Sequence, residues 1–418
     1  MTRSTRRIGA MAAATFLLGA SGARSQYTVL HEFIGGGSDG RDPRGSLTAV
    51  GGVLYGTTQY GGDADLGTVF SIDIDDADVR LVHEFAGTPG GGAQPWGSLT
   101  ADGSTLYGTT TTGGSSDLGT VFKVGTNGQF VVVHHFTSGA GDGGDPEDSL
   151  VLAGSTLYGT TQGGGGTGKS GTVFKVNTDG SGFGLLYEFA GGSGDGASPI
   201  GSPTLIGSVL YGTTAQGGDA NRGTIFKVNA GGGGFDTIHE FVGGDNDGRE
   251  PWGAMIAGGS VLYGTTRGGG TGDIGTIFKI DTADNSYQIV HDFAGGSGGG
   301  KYPLDALLLV GSTLYGTTEY GGEKDQGTLF RVSTDGSGFQ ILHTFAGGIT
   351  DGSRPHGALT LVGSTLYGTT AQGGDTNGGT VFSYAIPEPA SAAMVAGVGA
   401  IALLIRRRIR RRRTAPPA

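Results

Sequence analysis

The chain contains no cysteine, which excludes disulfide staples, thiolate metal sites and cysteine nucleophiles. Two tryptophans and four methionines among 418 residues are too few for either to be a repeated core position. Basic side chains are scarce between the ends, where residues 26 to 389 carry 15 of them against 37 acidic ones, a balance of -22. A surface that acidic repels phosphate backbones and argues against nucleic acid as a partner. Long apolar runs occur only near the ends, at residues 8 to 20 and 390 to 405, and the interior shows no 3.6-residue helical pattern. What the chain has in excess is glycine, at 91 positions, which with 13 prolines would indicate disorder if the sequence were aperiodic.

It is periodic. Leu-Tyr-Gly-Thr-Thr begins at Leu54, Leu106, Leu157, Leu210, Leu262, Leu314 and Leu366, at spacings of 52, 51, 53, 52, 52 and 52 residues. A period near fifty without helical periodicity indicates propeller blades rather than a helical solenoid. Each period holds four strand-like runs, in the second copy residues 97 to 101, 105 to 110, 120 to 124 and 130 to 136. Turn residues separate them, as at 101 to 104 and 126 to 128. Tyr55, Phe70, Phe85 and their counterparts account for 21 of the 35 aromatics, which makes them core positions. The glycine of Leu-Tyr-Gly-Thr-Thr is expected to let neighbouring sheets approach closely. A fourth-type run stands alone at residues 27 to 33, and the last copy stops after its third run at 381 to 384. The expected fold is therefore an all-β, seven-bladed β-propeller over residues 26 to 385, in which the N-terminal strand completes the last blade.

The ends read as addresses. Arg3, Arg6 and Arg7 precede the apolar run at 8 to 20, and Ser21, Gly22, Ala23 and Ser25 follow it, the layout of a signal peptide over residues 1 to 25. Gly9 and Ala10 after Arg6-Arg7 favour general secretion over the twin-arginine route. Pro387-Glu388-Pro389 opens the second apolar stretch, which Arg406, Arg407, Arg408 and four further arginines close. As a helix its 16 residues would reach ~24 Å, so crossing a bilayer would need snorkelling or local thinning. Residues 386 to 413, followed by a tail at 414 to 418, resemble the PEP-CTERM sorting signal of exported bacterial proteins. That resemblance implies handling by an exosortase-type membrane protease, a membrane-held precursor, and delivery to the envelope or extracellular matrix. The repeats resemble the GloVer-type, choice-of-anchor tandem repeats of exported bacterial proteins in Leu-Tyr-Gly-Thr-Thr, in pairs such as Gly61-Gly62, and in Gly-Thr-Val-Phe at 67 to 70. This second resemblance implies surface export and no particular reaction.

Several constellations invite a chemical reading. Residues 163 to 170 match the phosphate-loop pattern, but a strand-like run follows at Gly171 where a phosphate loop needs a helix, so no nucleotide is expected. Histidines at 31, 83, 134, 239, 291 and 343, with Tyr187 in the one remaining copy, occupy one repeat position on outer strands. They cannot converge on a metal, and a hydrogen bond repeated inside each blade is expected instead. Asp-Gly-x-x-Pro begins at Asp39, Asp142, Asp195, Asp247 and Asp351, with Gly91 and Gly299 in the other two copies. Calcium is the one cofactor these carboxylates bring to mind, although aspartate before glycine is also ordinary turn chemistry. Glu147, Lys301, Glu319 and His356 are polar residues not shared between copies, and they could meet only at the central mouth.

The residue after the repeated proline varies while its surroundings do not: Arg44, Trp96, Glu147, Ile200, Trp252, Leu304 and His356. These seven are expected to ring the mouth of the central channel. Arg44, Trp96, Glu147, Trp252 and His356 are the candidate binding residues for a polysaccharide or a surface protein. The leading expectation is an exported, non-catalytic binding module, and the alternative is a secreted polysaccharide hydrolase or lyase with its site at the mouth. Intact-mass measurement on protein from its native host tests the two addresses. The mature species is expected to lack residues 1 to 25 and the arginine cluster, and a mass that retains Arg406 would contradict sorting-type cleavage.

Overall fold

In a computed structural model the chain is described over residues 26 to 386, apart from positions 38, 88, 89, 138, 140, 167 and 169. The segment expected to direct export, residues 1 to 25, and the expected sorting tail from Pro387, with Glu388 and Pro389, lie outside the described residues. Among the described residues there is no helix, and so none that could cross a membrane.

The protein is a ring of seven four-stranded antiparallel blades. In the first blade the strands are Thr48–Val50, Val53–Thr58, Thr68–Asp73 and Val79–Glu84. The last blade is built from Thr360–Val362, Thr365–Gly373 and Thr380–Ala385, and its outer strand is Tyr27–Glu32 from the opposite end of the chain. Tyr27 pairs with Tyr384 and Glu32 with Thr380, so the expected closure is present and the edge of Thr380–Ala385 is covered.

The repeat motif can be read from its pleat. Successive side chains of a strand face opposite sides, so Leu54 packs towards the preceding blade with Phe70 and Tyr367, while Tyr55 packs towards the next with Phe85 and Phe122. Gly56 pairs with Phe70 in register, and a Cβ there would lie 2.5 Å from the Phe70 ring. The glycine therefore makes room for the cross-strand phenylalanine of its own blade, not for a neighbouring sheet as the sequence suggests. Thr57 Oγ1 donates to the Gly97 carbonyl of the next blade at 2.9 Å, and Thr58 Oγ1 meets Thr68 Oγ1 at 2.7 Å within the blade.

The innermost strands start later than the sequence suggests, at Thr100–Asp102 rather than residue 97 in the second blade. The preceding residues bond sideways. Ser98 N–H donates to the Ser149 hydroxyl of the third blade, and Ser46 N–H to the Ser98 hydroxyl. At the seam, Thr369 Oγ1 donates to the Gly45 carbonyl at 3.1 Å.

Truncation of residues 26 to 33 removes Phe33, which is fully buried, and bares the edge of Thr380–Ala385. Loss of a buried phenylalanine alone costs about 3–5 kcal/mol. Thermal unfolding of the truncated ring is expected at least roughly 5–10 °C below that of the full ring, and an unchanged midpoint would show the strand to be dispensable.

Candidate functional site

Loops joining one blade to the next and loops joining second to third strands emerge on the same face. Two-residue ladders tie them together, as where Gly40–Arg41 pairs with Tyr60–Gly61. The repeated aspartate organises this junction. Asp39 accepts from the Ile34 and Gly40 N–H groups at 2.9 and 2.8 Å, and it meets His31 Nε2 at 3.3 Å. His134–Asp142, His239–Asp247 and His343–Asp351 repeat the pair. The histidine thus bridges the outer strand of one blade to the loop entering the next, rather than staying inside its blade. Several of these rings also stack on the neighbouring blade's aromatic, as His83 does on Phe130 at 4.0 Å. His83 and His291 have no aspartate partner, their copies carrying Gly91 and Gly299, and burial holds both imidazoles below the usual range. Among the described residues no three histidine, aspartate or glutamate side chains are placed to hold a metal ion. The phosphate-loop match leads into the strand Thr172–Asn177, and Gly163–Gly164 is a ladder to Gly143–Gly144.

The seven residues after the repeated proline line one cavity at the axis, of about 40 Å³, space for a few waters. Arg44 lies over the Trp96 ring at 4.3 Å and forms an ion pair with Asp42 at 3.0 Å. Trp96 approaches the His356 ring edge-on at 6.1 Å. Desolvation, with Arg44 nearby, pushes the His356 imidazole down to about 3, so it is neutral in any ordinary medium. Burial and the neighbouring Asp145 and Asp148 push the Glu147 carboxyl up to about 7. A wider groove of about 410 Å³ adjoins this constriction, lined by Trp96, Trp252, Glu147, Glu250, Gln162 and Ser198 among others. Of the unshared polar residues, Glu147 and His356 meet at the mouth. Glu319 lies farther out, within electrostatic reach of Arg44, Arg267 and Arg354, and Lys301 pairs with Asp325 at 3.0 Å.

Three features of this face escape a reading centred on the residue after the proline. The residue before it, Asp42, Gln94, Asp145, Ser198, Glu250, Tyr302 or Arg354, has a left-handed backbone in every blade, with φ between 52° and 59°. The conformation sends its N–H back to the preceding blade and its carbonyl to its own, as Gln94 does to Leu66 and Thr111. Glycine would adopt it freely, whereas other residues lose about 1–2 kcal/mol. Aligning the copies shows the variation at this position, but not its backbone angle. A second ring of varied residues follows Leu-Tyr-Gly-Thr-Thr and includes Gln59, Gln162, Arg267 and Glu319. The third feature is a pair of aspartates, Asp148 and Asp305, where the other five copies have glycine, visible in the sequence as a broken repeat.

Both aspartates lie deep at the axis and line the narrow cavity. Asp148 accepts from Ser149 and Ser202 N–H, and Asp305 from Ala306 and Ala358 N–H, so each staples its blade to the next. Burial raises both carboxyls, and repulsion from Asp148 helps bring Asp305 to about 7. An acid whose pKa is raised on folding holds more protons folded than unfolded between its two pKa values, so stability falls as pH rises from about 4 to 7. Asp305→Asn is expected to flatten part of that fall in a series of melting curves against pH. An unchanged slope would contradict the assignment.

Comparison with known proteins agrees with the architecture. The profile of the Gloeobacter/Verrucomicrobia repeat family matches residues 9–220 and 170–382. No curated protein matches the sequence. Among solved structures, an oligogalacturonate lyase from Vibrio parahaemolyticus superposes with a TM-score of 0.57 at 15% identity, covering 87% of this chain and 94% of the lyase. A puromycin-hydrolyzing peptidase from Mycobacterium tuberculosis gives 0.50 at 12% identity, over 78% of this chain and 49% of the peptidase. A nidogen/laminin complex gives 0.43 at 13% identity, over 70% of this chain and 93% of the matched chain. At such identities the likeness is one of fold.

Proposed function

The chain belongs to the Gloeobacter/Verrucomicrobia repeat family, and within it we propose that this propeller is an exported, non-catalytic module that binds glycan on its loop face. In this reading residues 1 to 25 direct export, and the tail from residue 386 engages a membrane and a sorting protease that delivers the ring to the envelope or extracellular matrix. The observation that carries the proposal is the convergence of the seven varied residues on the axis, beside a groove that holds both tryptophans of the chain. Indole faces stack on the apolar faces of sugar rings, and the Glu250, Gln162 and Ser198 side chains of the groove offer hydrogen bonds to hydroxyls. Variation confined to positions that the core does not need is what a recognition surface requires.

A hydrolytic or lytic reading of the same face rests on Glu147, whose carboxyl near 7 has the proton affinity of an acid catalyst. Cleavage of a polysaccharide by the wild type that is lost in Glu147→Gln would favour that reading over the first.

Because Trp96 and Trp252 are the only tryptophans, tryptophan fluorescence, excited selectively over the tyrosines, reports on this site alone. Titration of residues 26 to 386 with soluble oligosaccharides is expected to change the emission, and each tryptophan-to-alanine change to weaken binding roughly tenfold, about 1.4 kcal/mol. Binding that leaves the emission untouched, or that survives Trp96→Ala with Trp252→Ala, would move the site elsewhere.

A further inference from the structure

Cations are scarce in residues 26 to 389, with 15 in all, yet Arg249, Arg267, Lys301 and Arg354 gather in the loops of blades five to seven. Three of them lie against aromatic rings. Arg267 is 5.2 Å from the rings of both Trp252 and Tyr302, and Arg354 is 5.2 Å from Tyr320. Lys301 Nζ is 5.6 Å from Tyr320, and the two tyrosines meet edge to face at 6.0 Å. The result is a continuous patch in which flat aromatic faces and positive charge alternate, with Trp252 joining it to the proposed glycan groove.

Two independent observations mark the patch as built for something the ring itself does not supply. First, Nε of Arg267 and of Arg354 are buried without a hydrogen-bond acceptor among the described residues. Arg267 has one weak partner at 3.4 Å, Glu250, which Arg249 also engages. No carboxylate of the described residues lies within ion-pair distance of Arg354. Glu319 lies within electrostatic reach of both arginines and forms an ion pair with neither. Second, Tyr302 and Arg354 stand at left-handed positions, φ 58° and 52°. All seven blades place a residue other than glycine at this position, and in the last two it is an aromatic ring and a guanidinium, which lie against Arg267 and Tyr320. Packing does not explain this, since other blades fill the same position with Gln94 or Ser198.

The geometry points to a subsite for the negatively charged group of an acidic sugar, held by Arg267 and Arg354, with Tyr302 and Tyr320 against the sugar ring. This inference rests on the glycan reading above and adds the charge class of the ligand. Guanidinium groups recognise carboxylate and sulfate alike through paired N–H donors, so the shared chemistry is an oxyanion on a saccharide. Glu319 serves as the resident counter-charge that the ligand's anion displaces. In a ring carrying a net balance of -22 over residues 26 to 389, such a subsite admits an anionic chain at one sector only, which fixes the direction in which a polymer lies.

The test compares three probes against residues 26 to 386 by calorimetry: an oligouronate, a sulfated glucan and a neutral glucan of equal length. The oligouronate or the sulfated glucan is expected to bind at least tenfold more tightly than the neutral one, in a salt-sensitive manner, and whichever binds tighter identifies the group. Arg354→Gly is expected to abolish that advantage, to leave the neutral glucan's affinity unchanged, and to leave the melting temperature equal or up to about 2 °C higher, because it relieves the left-handed residue. A merely structural arginine would lower the melting temperature instead. Glu319→Gln is expected to raise affinity for the charged probe severalfold. Equal affinity for charged and neutral probes, or a charged advantage that persists in Arg354→Gly, overturns this subsite and leaves the glycan reading standing. Failure of all three probes to bind overturns both.

Discussion

A blade of this protein is apolar on both faces, and only another blade can cover it. Leu54 and Tyr55, adjacent in one strand, belong to different cores, one shared with the blade before and one with the blade after. Seven such clusters occur among the described residues, and one of them joins Phe33 and Phe70 to Tyr367 across the seam. No blade has a core of its own, so the ring must close for any blade to be covered on both sides. The N-terminal strand is the physical form of that requirement. By completing the last blade it ties the chain's two ends into one sheet, and Phe33 enters the seam cluster directly.

The same constraint explains where variety is tolerated. Seven interfaces built from the same leucine, tyrosine and phenylalanine positions leave little freedom in the blades, while the loops of one face are held by backbone bonds and by a few repeated polar side chains. Aspartates such as Asp39 fold the loop by accepting from N–H groups on either side, and the left-handed residue before each proline carries the chain from one blade to the next. At the residue before the proline the bonds between blades are made by the backbone, whatever the side chain. The retention of arginine, tyrosine, glutamine and glutamate there, against glycine, is difficult to account for through stability. It is readily accounted for if the face recognises something.

Much of the architecture was legible because its signals are local and repeated: strand alternation, turn residues, and a count of runs that balances only with the first strand in the last blade. The start of each innermost strand was not, because residues such as Ser98 have strand-like letters and bond instead to the adjacent blade. The role of Gly56 is hidden for a related reason, since it depends on pairing with Phe70 in register, which sequence spacing alone does not reveal. At the face, the ring containing Trp96 and Trp252 was visible as variation at one position. Arg354 and Tyr302 do not stand out in the sequence, because their distinguishing property is a backbone angle. Arg267 does not stand out either, because its partners come from other strands and another blade. Asp148 and Asp305 were open to view as breaks in a glycine repeat, but their significance depends on both reaching the axis.

The central claim is that the varied loop face is the recognition surface of the ring. Hydrogen exchange of residues 26 to 386, followed peptide by peptide with and without a saturating oligosaccharide, tests it most directly. The account predicts protection confined to the loops of that face, among them those around residues 94 to 98, 145 to 150, 162, 198, 250 to 254 and 300 to 304, with the outer strands and the opposite hairpin turns unchanged. Protection centred on those hairpin turns, or on the outer strands, would contradict it.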